Sequence, residues 1–120
     1  MLGDDLADRL LAFAVRALQV VSTLPSSTTG KHLARQLTSS ATSGGANYEE
    51  ARCAESRADF AHKVLVAAKE VGESVYWVRL IHSSRLSSST DLLALVAEGR
   101  ELVAILKASA RTARARAADS

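Results

Sequence analysis

Between Ser56 and His82 the apolar side chains return in alternating steps of four and three: Phe60, Val64, Ala67, Val71, then Ser74 in register, Val78 and Ile81. That spacing draws one stripe along an α-helix and is the seam of helices packed side by side. A second stripe, Leu65, Ala68, Gly72, Val75 and Tyr76, widens the apolar face, so this helix needs more than one neighbour. Composition agrees, with 22 Ala and 16 Leu against 2 Phe, 2 Tyr and 1 Trp. Ala and Leu favour helix, and the residues that fill sheets are scarce, which excludes an all-β domain and argues against α/β. The 120 residues make one domain, 1–120.

Two further segments carry the same signal. From Asp5 to Leu24, Leu6, Leu10, Phe13, Ala17, Val21 and Leu24 share one stripe, and Pro25 ends the segment. Near the C-terminus, Leu92, Leu95, Val96, Leu102, Val103, Leu106 and Ala110 form another, with Thr90 as the expected N-cap. Beyond Ala113 the pattern gives way to Arg/Ala repeats, read as a frayed tail over 114–120.

Residues 29–54 are harder to read. Thr38 to Asn47, TSSATSGGAN, are ten small or polar residues. Each Gly costs about 1 kcal/mol in a helix, so propensity favours a flexible loop. The other reading is a helix whose small residues admit a neighbouring backbone. With helices at about 5–24, 29–54, 56–82 and 90–113, the expected fold is all-α, an up-down antiparallel four-helix bundle. Its alanine-rich core buries little area per residue, which motivates self-association.

The chain offers little for catalysis. One Cys and three His are too few for a zinc site, and no Glu stands three residues before a His as di-metal bundles require. SATSGG lacks the nucleophile-elbow frame, and Gly44-Gly45 lacks the P-loop lysine. Cys53 has no His beside it in sequence and reads as an incidental thiol. The expectation is a non-enzyme without cofactor or metal. The start, Met1-Leu2-Gly3-Asp4-Asp5, is acidic where a targeting peptide would be basic, which points to the cytoplasm.

Charge is uneven although the net value is only +2. Residues 107–120 set Lys107, Arg111, Arg114 and Arg116 against Asp119, a local +3. Lys107, Arg111 and Arg114 share one helical face. They suit either nucleic-acid phosphates or the negative end of the helix macrodipole, and the second needs no ligand.

The middle of the chain carries recognisable runs: RQL at Arg35–Leu37, TSGGANYEEA at Thr42–Ala51, ESRADFAHK at Glu55–Lys63 and AKEVGESVYW at Ala68–Trp77. In order and without gaps over roughly 50 residues, they resemble the bacterial four-helix-bundle family encoded in intervening sequences of 23S ribosomal RNA genes. Gly45 and Val78 depart mildly from the family pattern. The resemblance implies that 29–54 is helical after all, and that copies assemble into a ring-shaped homo-oligomer, a pentamer. The accessory variability determinant of diversity-generating retroelements resembles the same group and binds nucleic acid, which implies RNA or DNA contact here by fold analogy alone. If the shared residues have one task, it is expected to be a polar network fixing helix register, with Asn47 and Glu50 facing Arg57, Glu73 or Tyr76; Trp77 belongs to the same motif. The functional expectation is an oligomeric adaptor or scaffold contacting nucleic acid through Lys107, Arg111, Arg114 and Arg116. The alternative is a protein-only structural or interaction module.

Overall fold

Pro25 and two serine caps cut the chain into its helices. A computed structural model describes residues 3–119. Four helices follow one another: α1 Asp4–Val21, α2 Thr28–Arg52, α3 Arg57–Ser83 and α4 Leu92–Ala118. No strand occurs among the described residues. The Ser27 hydroxyl accepts from Gly30 N at 3.1 Å and that of Ser56 from Asp59 N at 3.0 Å, which starts α2 and α3. Because Leu24 precedes proline, α1 stops at Val21, short of the expected Leu24, and the chain leaves through a turn.

Both ends of α4 differ from expectation. Thr90 is not the cap. Asp91 occupies that position, and its carboxylate is taken by Arg16 of α1 instead of the helix's own N–H groups. At the far end the helix runs through residues 114–118, which are therefore not a frayed tail; Ser120 lies outside the described residues. Ala and Arg are strong helix formers. In addition, Arg57 Nη1 of α3 donates to the Arg116 carbonyl at 3.2 Å, which ties the last turn of α4 to α3.

The Ser/Gly run is continuous helix, against the loop that propensity favours. Its two glycines face different neighbours. A Cβ on Gly44 would lie 2.8 Å from Val71 Cγ2 of α3, whereas one on Gly45 would lie 3.6 Å from Leu10 Cβ of α1. Gly44 is therefore required by close approach, and Gly45 is not. In α4, a Cβ on Gly99 would meet Val75 Cγ2 at 2.5 Å and Phe13 Cε1 at 3.1 Å. Valine is stiff at χ1, so these contacts do not relax cheaply. The α3 seam is fully buried from Val64 to Ile81, Ser74 included.

Each helix packs against the next, and α1 closes the circuit on α4; among the described residues the diagonal pairs make no close backbone approach. The product is a rod of 52 × 22 × 22 Å. Its α1/α2 face and its α3/α4 face therefore lie on opposite sides. The approach is closest between α3 and α4 and loosest between α4 and α1. There, ion pairs take over from packing: Arg9 meets Glu98 at 2.7 Å and Arg16 meets Asp91 at 2.8 Å, both two-pronged.

The glycines give a graded prediction for urea unfolding. Gly99→Ala should cost about 2 kcal/mol and Gly44→Ala about 1 kcal/mol, the net of overpacking and improved propensity. Gly45→Ala should be neutral or stabilising by up to about 1 kcal/mol. The ion pairs give a second prediction. Hydrogen bonds from Arg16 and Arg9 hold the Asp91 and Glu98 carboxyls below their ordinary pKa, against the opposing effect of burial. A depressed folded pKa contributes stability above the unfolded pKa and loses it as pH falls through the folded one. These pairs are solvent-screened, so Arg9→Gln/Arg16→Gln should cost only about 1 kcal/mol at neutral pH. Its difference from the parent should shrink toward zero as the carboxylates protonate, read from urea midpoints across an acid series.

Candidate functional site

Two contacts set how α2 and α3 meet. Gly44 lies against Val71, and the Ser40 and Ser74 hydroxyls touch at 2.8 Å in the core. This antiparallel register places Asn47 level with about Ala67, six residues and roughly 9 Å along the axis from Glu73. The expected network therefore does not form. Asn47 is half-buried and its Nδ2 donates to the Ser43 carbonyl of its own helix at 2.8 Å. Glu50 and Glu73 are exposed, and Tyr76 is 56% exposed with its ring edge on Trp77, centroids 5.1 Å apart. Arg57 caps α4 instead. Among the described residues no hydrogen bond joins any two of these five.

The buried polar contact between helices is the serine pair. Ser74 Oγ lies 3.1 Å from the Glu70 carbonyl and Ser40 Oγ 3.4 Å from that of Leu37. The better geometry has Ser40 donating to Ser74 and Ser74 donating to Glu70. Both hydroxyls are then satisfied, as buried groups must be. The signal for this pair was present in the sequence: Ser74 occupies a core position of the α3 seam, where a polar side chain needs a partner.

Glu70 and Glu73 stand three residues apart on α3; Glu70 is half-buried, and burial, then the charge of Glu73, raise its carboxyl above the ordinary value. Among the described residues no three His, Cys, Asp or Glu side chains gather closely enough to hold a metal ion. Cys53 is exposed at the end of α2.

The cationic residues of α4 are all on the surface. Lys107, Arg111 and Arg114 are exposed on one flank, and Arg100 lies two turns before Lys107 on the same side. Among the described residues none of these four forms a salt bridge. Arg116 is exposed on another side. Because α4 extends to Ala118, Lys107 and Arg111 stand two to three turns from its end. The macrodipole acts over the last turn, so it does not account for them.

Apolar surface was the feature that the sequence reading missed. Leu11, Val15 and Leu18 of α1 are 65%, 47% and 42% exposed and border a groove of about 690 Å³ between α1 and α2. Gly45 and Ala46 floor it, and Asp4, Asp8, Glu49 and Arg52 line it too. On the opposite face Tyr76, Leu80 and Leu93 are exposed. The spacing 11, 15, 18 repeats the four-three step of a packing seam, on the side of α1 away from its buried stripe.

No helix among the described residues is long and apolar enough to cross a membrane. Replacing either serine of the buried pair with alanine should cost about 1 kcal/mol, and the double variant clearly less than the sum of the two. Asn47→Ala should cost under about 0.5 kcal/mol, because its hydrogen bond stays within its own helix and alanine is the better helix former. Urea midpoints of the four variants check this.

The profile of the family described as 23S rRNA-intervening sequence protein matches residues 5–108. A crystal structure from Bacteroides thetaiotaomicron, titled a protein with unknown function from the S23 ribosomal protein family, superposes with a TM-score of 0.76. It shares 32% identity over 84% of this chain and 94% of its own. No curated protein matches. With its runs of matching residues, its four helices and a profile that spans most of its length, this chain belongs to the 23S rRNA-intervening sequence protein family.

Proposed function

We propose that this chain is a non-catalytic, self-associating scaffold of the cytoplasm whose α4 cations contact the phosphates of RNA or DNA. The observation that carries the nucleic-acid part is the position of Lys107 and Arg111. They are exposed, lack acidic partners among the described residues and lie beyond the reach of the helix end that would otherwise explain them. Arg114 extends the same row, and Arg57 already supplies a donor to the α4 terminus. A sequence pI near 9.0 is compatible with a polyanionic partner. Self-association is supported by the thin alanine core and by the exposed apolar side chains on two faces. The family likeness favours a homopentamer.

The second reading is a module that binds only protein, which the α1/α2 groove favours. Salt-titrated binding to a labelled RNA separates the two. Phosphate contact predicts log affinity falling linearly with log salt, with a slope that grows with the number of phosphates neutralised. Arg111→Glu/Arg114→Glu should weaken binding at least about tenfold at low salt and flatten the slope. No binding at low salt would leave the protein-only module.

A further inference from the structure

The charged side chains of α3 and α4 are sorted by face. On α3 the carboxylates Asp59, Glu70 and Glu73 all lie within about 100° of Ser74, the side turned to α2. On α4 Glu98 and Glu101 both reach Arg9 of α1. The exposed cations Lys69 and Arg79 of α3 lie on the side of Val75, within about 120° of it. Arg100, Lys107, Arg111 and Arg114 lie as close to Gly99, the residue that Val75 approaches. Both sets therefore flank the α3/α4 seam. Among the described residues none of the six forms a salt bridge, and no carboxylate of either helix shares this face.

The six cations form one row. The approach of Val75 to Gly99 sets Arg79 level with about Leu95, Tyr76 with Glu98 and Lys69 with Ile105. From Arg79 to Arg114 the row then covers roughly 28 Å of the rod, at steps of about 3 to 8 Å. Gly72, level with about Leu102, is half-buried, yet a Cβ there would meet nothing within 4 Å. The seam is thus an open furrow at the middle of the row.

An aromatic ring stands among these charges. Tyr76 is 56% exposed, lies between Arg79 and Arg100 in height, and rests edge-on against Trp77 with centroids 5.1 Å apart. Trp77 is braced in turn by His32 of α2, in a second edge contact at 6.1 Å. The phenol is held in place and still open to solvent. Charge of one sign would suit any polyanion. A braced ring within the row adds a surface for an unpaired base, which a duplex, with its bases stacked inside, cannot offer.

We propose that single-stranded RNA or DNA runs along the α3/α4 furrow, its phosphates on the cation row and one unpaired base stacked on Tyr76. This inference rests on the nucleic-acid reading and specifies its ligand as a strand with free bases.

Trp77 is the only tryptophan of the chain and touches Tyr76, so its fluorescence reports on the ring. The full chain is titrated at low salt with single-stranded oligo(U) and with an RNA duplex of the same length. The strand should quench Trp77 and bind at least about fivefold more tightly than the duplex. Tyr76→Leu, with its fold checked by circular dichroism, should weaken strand binding about five- to hundredfold. Its duplex affinity and its salt slope should be unchanged, since no phosphate contact is lost, and Tyr76→Phe should bind as the wild type. Equal affinity for strand and duplex, or undiminished strand binding by Tyr76→Leu, overturns the stacking site. Phosphate contact then still stands if Arg111→Glu/Arg114→Glu weakens binding. A Tyr76→Leu variant of altered mass in light scattering assigns the ring to contact between copies and likewise overturns the site. No binding of either probe at low salt overturns both readings.

Discussion

The approach of α2 to α3 is the constraint on which the rest of the molecule depends. It is close because Gly44 presents no side chain to Val71, and it is fixed in register because Ser40 and Ser74 must meet or leave buried hydroxyls unsatisfied. A slide of one turn between these helices would set other residues against Val71 and separate the hydroxyls. The polar pair adds little net stability, but it makes alternative registers costly. With α3 placed, Gly99 lets α4 come equally near to Val75, and Phe13 of α1 fills the remaining space. Three helices are thus joined by close backbone approach. The fourth, α1, is held at its α4 edge by arginine–carboxylate pairs that remain partly in water.

This difference in attachment explains where apolar surface is left over. Close-packed helices expose few large side chains outside the core. An 18-residue α1 set beside helices of 25 and 27 residues covers less of its neighbours and keeps its own outer stripe open. The groove beside it is floored by Gly45 and Ala46, whose small size leaves the space. The glycine pair therefore has two consequences: Gly44 brings a helix near, and Gly45 keeps a surface hollow.

What the sequence made legible follows from which signals are local. The α3 seam and the stop near Pro25 are set by neighbours in the chain, and periodicity and proline chemistry read them. TSSATSGGAN misled propensity because its penalty is counted residue by residue, while its compensation comes from Val71 and Leu10, far away in sequence. Resemblance corrected that segment by importing the tertiary context. The Asn47 network failed for a related reason. Helix faces can be assigned from one sequence, but the offset between two helices cannot, and here it separates Asn47 from Glu73. Ser74 was readable as a polar residue in a core position; its partner Ser40 was hidden among equivalent serines. The α4 cations were found in sequence, but their meaning turned on where the helix ends.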